Sequence, residues 1–380
     1  MPPTKRRVLV LLNWNDPTIF QAVGAYAREA GWHLDTRFFF DAAVPHGWRG
    51  DGMIVSSGAR PELQRFIRRQ APRQPVVICG ANNPGISAPI VTSDNRAVGC
   101  LAAAHVLERG HRHFAWFSPA SGTVADLRRE GFSATLRAAG YDCHALETRL
   151  ADWLRRRQWL VRQLRRLPRP LALFALDDQV AAETVECCLE EGWRVPEDIA
   201  VMGVGNIETA CECSHVPITS VALREDEVAR RAAALLEALM RGAPPPREPV
   251  VVPPLGVVAR RSTDFLAVAH PGVRQAVAFV QQHVSEPITM EQLAQAAGVS
   301  RRTLYYLFRQ ELRCTPAELL LRQRMGRAQR LLKETDRTIG DVAAACGLLP
   351  LRTINRCFWR LERMSPRAWR RVQAARREQR

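Results

Sequence analysis

The first 265 residues alternate short apolar runs with helix-like stretches, and this alternation restricts the fold more than any other feature. The apolar runs are rich in β-branched and aromatic residues, as buried strands are. They read RRVLVLLNW, DGMIVSS, QPVVICG, APIVTSD, HFAWFSP, LALFALD and DIAVMGVG. The stretches between them have helical periodicity and mostly end in glycine, which favours helix termination. The pattern predicts βαβ units, an α/β fold class and mostly parallel strands, with enough chain for two sheets.

Polar side chains follow several of these predicted strands. Ligands of open parallel sheets bind at the carboxyl ends of the strands, so such residues are candidate ligand contacts. The candidates are Asn13, Trp14, Asp94, Arg128, Asp177 and Asp178. Carboxylates, amides and arginine pair with neighbouring hydroxyl groups, and an indole ring can cover an apolar sugar face. The set indicates a polyhydroxylated ligand, although each Asp or Asn could instead cap a helix.

Positive charge is concentrated in the C-terminal part of the chain. The net charge is +16, and residues 271–380 contain 21 Lys and Arg against 9 Asp and Glu. The preceding 270 residues are nearly balanced, with 33 against 29. This asymmetry predicts a polyanionic partner for the C-terminal part, double-stranded DNA before a membrane.

The same C-terminal part contains an internal repeat. Residues 301–316 read RRTLYYLFRQELRCTP and residues 351–366 read LRTINRCFWRLERMSP, an offset of 50. Five pairs are identical, namely Arg302/Arg352, Thr303/Thr353, Phe308/Phe358, Arg313/Arg363 and Pro316/Pro366. A short internal repeat indicates one supersecondary unit used twice. From Val273 onwards the pattern is helical throughout, so the repeated unit is predicted to be all-α.

The repeated unit has the sequence features of a helix-turn-helix. Alanines allow two helices to cross closely, Gly298 and Gly347 permit the sharp turn, and Ser300 can cap the second helix. That second helix enters the major groove with its N-terminal half. The candidate DNA contacts are Ser300, Arg301, Arg302, Thr303, Tyr305 and Tyr306 in the first copy and Arg352, Thr353, Asn355 and Arg356 in the second. The residues expected inside are Leu304, Leu307, Phe308, Ile354 and Phe358.

One predicted helix, AELLLRQRMGRAQRLL, joins the two copies. About 18 helical residues span roughly 27 Å. That length can hold two reading helices about one turn of DNA apart, roughly 34 Å. The repeat therefore predicts that a single subunit reads two successive segments of the major groove.

Three segments resemble the sugar-binding module of LacI-type repressors and periplasmic sugar receptors. They are VTSDNRAVGCLAAAHVLERGHRHFAWFSP, RREGFSATLRAAGY and VPEDIAVMGVGN. The resemblance implies two Rossmann-like lobes around a cleft, with Asp94, Arg128 and Asp177 contacting the sugar. Asp177 stands where Asn is usual, and Gly205 stands where a further cleft Asp is usual, so one ligand hydrogen bond is in question. The helix-turn-helix that usually precedes this module is not seen, because the first strand begins by Arg7.

The end of the repeat, CFWRLERMSPRAWRR, is similar to the signature of AraC-family transcription regulators. The resemblance covers about 100 residues and implies binding to a promoter or operator. Arg313 and Arg363 stand where the family usually has Gly. Pro350 occupies the cap region of the second reading helix, which predicts a helix that is shorter or binds bases less closely.

A LacI-type module ahead of an AraC-type domain resembles the order in bacterial xylose-operon regulators. The resemblance implies an activator of sugar-utilisation genes, with xylose as the first candidate effector and a homodimer and RNA polymerase as further partners. The predicted sugar-sensing domain is 1–265, the linker 266–272 and the DNA-binding domain 273–380. Within the first domain, lobe 1 is predicted at about 6–114 plus 221–241 and lobe 2 at about 115–219 plus 247–262.

Other classes of function find less support in the sequence. There is no G-x-S-x-G, P-loop or H-E-x-x-H pattern, so an enzyme is the weaker hypothesis. The cysteines fit no zinc template, and we expect neither a metal nor a cofactor. The chain has no apolar run long enough for a membrane span or a signal peptide, which indicates a cytoplasmic protein. A first domain that has lost its sugar and responds to another effector or to a protein partner remains an alternative.

Overall fold

The structure is a computed structural model, and it divides the chain into two compact units. It describes residues 6–12, 17–36, 44–56, 61–80, 86–267, 270–312, 314–362 and 364–378. One unit comprises Met1–Leu107 with Arg112–Phe265, and the other comprises Glu108–His111 with Leu266–Arg380.

The first unit contains the strands that the apolar runs predict, with short additional ones. The strands are β1 (Arg7–Leu11), β2 (His33–Asp35), β3 (Gly52–Val55), β4 (Val76–Cys79), β5 (Ile90–Ser93), β6 (His113–Ser118), β7 (Cys143–Glu147), β8 (Leu171–Ala175), β9 (Ile199–Gly205), β10 (Thr219–Ala222), β11 (Val250–Val252) and β12 (Gly256–Val258). Sequence analysis did not find β2, β7 or β10. Strands β2 and β7 are half-exposed and lack a continuous apolar run, whereas β10 is a buried strand of only four residues.

Helices alternate with these strands. They are α1 (Pro17–Glu29), α2 (Pro61–Gln70), α3 (Asn95–Glu108), α4 (Thr123–Ala138), α5 (Trp153–Leu164), α6 (Asp178–Glu190), α7 (Glu208–Cys213) and α8 (Glu225–Met240). A 3₁₀ turn at Arg261–Thr263 follows β12. Helix α5 is rich in arginine. Arg156 on this helix pairs with Glu183, and Arg165 just after it pairs with Glu191.

Two six-stranded sheets form the first unit. The first sheet has the order β11-β5-β4-β3-β1-β2, and the second has the order β12-β10-β9-β8-β6-β7. The strand pairs are parallel except that β12 runs antiparallel to β10. The α/β prediction is therefore confirmed, including the mostly parallel strands and the division into two sheets.

Helices cover both faces of each sheet, as buried parallel strands require. On the first sheet, α1 and α8 share one core with β1 and β4, while α2 packs on the opposite face. On the second sheet, α3 and α4 cover one face, where Phe114, Trp116 and Phe132 are fully buried, and α5 and α6 cover the other. Each large side chain removed from water in this way contributes about 1.5–3 kcal/mol to folding.

The division between the lobes differs from the predicted one. Helix α3 packs on the second sheet through Val98, Ala102 and Val106, although the sequence analysis placed it in lobe 1. Strand β10 lies in the second sheet and β11 in the first, so both lobe boundaries near 221 and 247 shift. Periodicity identifies an element and its apolar face, but it does not say which sheet that face will cover.

The second unit is all-α. Its helices are α9 (Pro271–Gln282), α10 (Met290–Ala296), α11 (Arg301–Leu312), α12 (Pro316–Glu334), α13 (Ile339–Ala345), α14 (Leu351–Glu362) and α15 (Pro366–Glu378). Two separate cores hold them: one joins α9, α10 and α11, and the other joins α13 and α14. The linking helix α12 contributes Leu319 and Leu320 to the first core and Met325 and Ala328 to the second.

The two reading helices have equal length. Helices α11 and α14 both contain 12 residues. The expectation of a shorter second helix, drawn from Pro350, is therefore wrong. Pro350 precedes the helix, and its carbonyl oxygen accepts a hydrogen bond from Thr353 N at 2.7 Å. A proline before the first helical turn is tolerated because the first amides of a helix have no partner inside it.

Three further features bear on the class of protein. In the described ranges, no helix is both long and apolar enough to cross a membrane. The ten cysteines are free thiols. No cluster of three or more metal-ligating side chains occurs among the residues whose placement is described.

Candidate functional site

Arg128 lies at the centre of the candidate ligand site. Its side chain is buried on α4, where Nε donates to Asn95 Oδ1 at 2.9 Å and Nη1 donates to the carbonyl oxygen of Leu176 at 2.5 Å. Asn95 is the first residue of α3, and its Nδ2 donates to Ser93 O at 2.9 Å. The arginine therefore connects the start of α3 with the end of β8.

Two glycines allow α3 and α4 to cross closely beside Arg128. A Cβ on Gly99 would lie 2.1 Å from Arg128 O, and a Cβ on Gly131 would lie 2.1 Å from Arg96 O. No side chain fits at these distances, because the obstructing atoms belong to the backbone. The glycines of the NRAVG and RREGF segments are thus required by helix packing, and this packing brings Arg128 to Asn95.

Carboxylates surround the buried guanidinium of Arg128. Burial lowers the pKa of Arg128, while the negative charges of Asp177, Glu225 and Asp178 act in the opposite direction. Glu225 is the first residue of α8, and sequence analysis did not identify it. Glu225 begins a helix of the first sheet, whereas Arg128 lies on a helix of the second sheet. The charge of Glu225 acts on Arg128 only because the folded chain brings these two helices together, and no local sequence pattern predicts this.

Asp94 and Asp177 both cap helices. Asp94 Oδ1 accepts from Ala97 N at 2.9 Å, and Asp177 Oδ1 accepts from Val180 N at 2.8 Å. Burial raises the pKa of Asp177, against the lowering effects of the Val180 amide and of Arg128. The capping role considered for these residues is therefore present. Each cap uses one carboxylate oxygen and fixes the direction of the other, so capping and ligand contact are compatible.

Asp178 has a structural role. It is fully buried, and its carboxylate accepts from Ser220 Oγ at 2.5 Å and from Ile207 N at 2.8 Å. A Cβ on Gly205, which has φ +123°, would lie 3.2 Å from Asp178 Oδ2. Asp178 thus fixes the turn after β9 through both carboxylate oxygens, and its negative charge also acts on Arg128.

Asn13 and Trp14 fall outside the described residues. The structure describes β1 up to Leu12 and resumes at Pro17. Of the six predicted ligand contacts, Arg128 and Asp177 interact electrostatically, and Asp94 directly precedes Asn95, which accepts a hydrogen bond from Arg128. Asp178 has both carboxylate oxygens already engaged by the protein.

A buried hydroxyl network anchors the C-terminal end of the first unit. Thr263 Oγ1 lies 2.8 Å from His105 Nε2 and 2.7 Å from Thr219 Oγ1. Ser262 Oγ accepts from Thr219 N and donates to Val201 O. The last turn before the predicted linker is therefore tied to α3, β9 and β10, three elements of the second sheet's lobe.

The first helix-turn-helix consists of α10 and α11. Gly298 adopts φ +65° in the turn, and Ser300 Oγ accepts from Thr303 N at 3.1 Å. On α11, Leu304 and Phe308 are fully buried. The predicted contacts Ser300, Arg301, Arg302, Thr303 and Tyr306 are exposed, and Tyr305 is half-buried. This geometry leaves one polar face of α11 open along its N-terminal half.

The second helix-turn-helix consists of α13 and α14 and has the same design. Gly347 adopts φ +62°, and Ile354 and Phe358 are fully buried. Arg352 and Arg356 are exposed, while Thr353 and Asn355 are half-buried. Sequence analysis missed Arg309 and Trp359, which are exposed and lie seven residues, about two turns, after Arg302 and Arg352 on the same faces.

Arg324 on α12 connects the two motifs. Its Nε donates to Val284 O at 3.0 Å and its Nη2 to Glu286 O at 2.6 Å, both just beyond α9. A Cβ on Gly347 would lie 2.9 Å from this guanidinium, so the second turn packs directly against it. With α12 present in both cores, these contacts hold the two reading helices in one arrangement.

Comparison with known protein families gives one match for each of the two compact units. Residues 103–263 match the periplasmic binding protein-like domain, and residues 293–372 match a helix-turn-helix domain. The first match includes Arg128, and the second includes both reading helices.

Known proteins match either nearly the whole chain or only part of it. The chain is 28% identical to the xylose operon regulatory protein of Escherichia coli K12, over 97% of this chain and 98% of that protein. It is 35% identical to the regulator GbdR of Pseudomonas aeruginosa over 94 residues, 25% of this chain and 26% of GbdR. A solved structure, the xylose-binding transcription activator xylR, aligns with TM-score 0.60 and 25% identity, covering 98% of this chain and 99% of that one.

Proposed function

We propose that this protein is a sugar-responsive transcription regulator that binds a monosaccharide at the Arg128 site and DNA through α11 and α14. The observation that carries the proposal is the pairing on one chain of a buried, carboxylate-flanked arginine with two equivalent exposed reading helices. A guanidinium held by protein acceptors keeps its remaining N–H groups oriented for hydroxyl oxygens. The neighbouring carboxylates supply acceptors for hydroxyl protons.

Xylose is the first effector to test. The names of a relative and of a solved structure that each match nearly the whole chain refer to xylose. Gly205 stands where sugar-binding modules usually have a carboxylate, so other pentoses and hexoses are tested beside xylose.

A thermal melt against a panel of pentoses and hexoses tests the sensor function. A ligand present at 100 times its Kd stabilises the folded state by about 2.7 kcal/mol, so we expect the melting temperature to rise by several degrees with one sugar. Phosphorylated sugars form a second panel. If neither panel shifts the melt, the first unit responds to a different effector or to a protein partner, and the sugar proposal is wrong.

Replacing Arg302 tests the DNA-reading function. Arg302 is exposed on the N-terminal half of α11, and Arg302→Ala should weaken binding to a selected operator by about 1–3 kcal/mol while leaving non-specific binding nearly unchanged. Fluorescence anisotropy with operator and scrambled duplexes measures both. An equal loss on both duplexes, with a lower salt dependence, would instead identify Arg302 as a phosphate contact.

A homodimer with ligand-controlled spacing is the mechanism we propose for the response. Sugar bound between the two lobes of the first unit would favour their closure, because it contacts elements from both. In a dimer, closure would change the separation of the two DNA-binding units and so select among operators. Sedimentation and DNA footprinting with and without sugar test this: unchanged oligomeric state, footprint and transcription would exclude it. Activation through contact with RNA polymerase is part of the same proposal.

A further inference from the structure

The second reading helix begins with exposed leucines. Leu349 is 60% exposed and Leu351 is 46% exposed. Fifty residues earlier, the first copy has half-buried Val299 and exposed Arg301 at these positions. The core of the second motif is already filled by Ile354 and Phe358, so these leucines are not needed for folding. Clustered exposed apolar side chains commonly mark a contact surface.

The charged residues near the two leucines indicate which kind of partner binds there. Arg352, Arg356 and Arg360 are exposed on the same helix, and none of them has a carboxylate partner among the described residues. A surface with this charge attracts a polyanion. The leucines lie at the N-terminal end of α14, the end that a helix-turn-helix presents to the base edges. DNA is therefore the occupant whose charge and shape match this face.

We propose that Leu349 and Leu351 bind the 5-methyl groups of thymines in the major groove, beside the base read by Arg352. This inference rests on the proposed DNA-reading function and names the base that the second motif selects. The thymine methyl is the apolar group that the major groove displays, and aliphatic side chains recognise it by contact. The two motifs then recognise different groups of the bases. Helix α11 begins with Arg301, a hydrogen-bond donor, and α14 begins with Leu351, an apolar side chain.

Deoxyuridine substitution tests the proposal, because it removes the methyl group of a thymine and leaves its base pairing unchanged. The full-length protein is first used to select an operator from a random duplex library. Single thymines are then replaced by deoxyuridine across both half-sites. We expect about four-fold weaker binding at one or two positions of the second half-site, the effect of exposing one methyl-sized apolar group. The first half-site should respond less.

Variants connect the effect to the leucines. Leu351→Ala or Leu349→Ala should bind thymine and deoxyuridine operators equally at the affected position. Arg301→Ala is the matched control at the equivalent position of the first copy, and it should retain the full deoxyuridine effect in the second half-site. Because the replaced side chains are exposed, a thermal melt of each variant should match that of the original protein.

Each outcome decides between the alternatives. Failure to select any operator would overturn the proposed DNA-reading function, and this inference with it. A selected operator that is insensitive to deoxyuridine would leave that function intact and show that the leucines face another partner. Sensitivity that persists in both leucine variants would assign the methyl contact to a different side chain, and the inference would again be wrong.

Discussion

Gly131→Ala should destabilise the first unit by about 3 kcal/mol and lower its melting temperature by roughly 6 to 10 °C. The new Cβ would lie 2.1 Å from Arg96 O, so α3 and α4 would have to separate. Separation would also pull Arg128 away from Asn95, because these side chains meet across the same crossing. We therefore expect the sugar-induced rise in melting temperature to shrink as well. Urea unfolding and thermal melts with and without sugar measure both effects.

Gly24→Ala is the matched control for this substitution. Gly24 lies inside α1 of the same unit, and its nearest obstructing atom is Arg28 Nη1 at 3.7 Å. Alanine in an unobstructed helix interior stabilises by about 0.5–1 kcal/mol relative to glycine. The two substitutions should therefore change stability in opposite directions. Similar small effects at both positions would contradict the close helix crossing.

Arg128→Ala should reduce sugar affinity about 30-fold or more and abolish the transcriptional response. Removing the guanidinium leaves the oxygens of Asn95 and Leu176 without their donor in a buried site. Truncating one partner of a buried charged hydrogen bond costs about 2–5 kcal/mol, which corresponds to at least a 30-fold change in affinity. Basal operator binding should persist, since α11 and α14 belong to the other unit. Calorimetry with sugar and anisotropy with DNA separate the two activities.

Arg129→Ala provides the neighbouring control. Arg129 is 39% exposed and contacts Asp126 and Glu147 at 3.5 and 3.4 Å, which are surface pairs. Exposed pairs contribute about 0–1 kcal/mol, so this variant should keep its sugar affinity and stability. Loss of both operator and sugar binding by Arg128→Ala, together with a lowered melting temperature, would indicate global misfolding. Intact stability with normal sugar affinity would exclude Arg128 from the site.

Local patterns predicted the elements because each pattern reflects local physics. Apolar runs such as LALFALD become strands buried on both faces, and helical periodicity locates the helices between them. The turn glycines Gly298 and Gly347 have positive φ, a conformation that side chains with a Cβ disfavour. Ser300 caps α11 because its hydroxyl reaches an amide three residues ahead in the same chain. No distant residue is needed for any of these.

Contacts between distant segments could not be predicted in the same way. Asp177 and Asp178 are adjacent and chemically identical, yet Asp177 caps α6 through Val180 N while Asp178 binds Ser220 and the Ile207 amide from distant segments. Which carboxylate turns toward the ligand site depends on how β9 and β10 pack against α6. Nothing in the sequence distinguishes Arg324 from the other arginines of α12, because its contacts with Val284 and Gly347 form only in the folded chain.

The sequence by itself determined the fold class, the two-part organisation and the repeated reading unit. Periodicity, charge placement and the offset of 50 are properties of the chain alone, and each constrains structure within one element or one motif. The tertiary structure alone decided that α3 covers the second sheet, that Glu225 approaches Arg128 and that Asp178 is structural. The reason is physical: an apolar face or a carboxylate is defined locally, but its partner is whichever distant surface the packed chain brings to it.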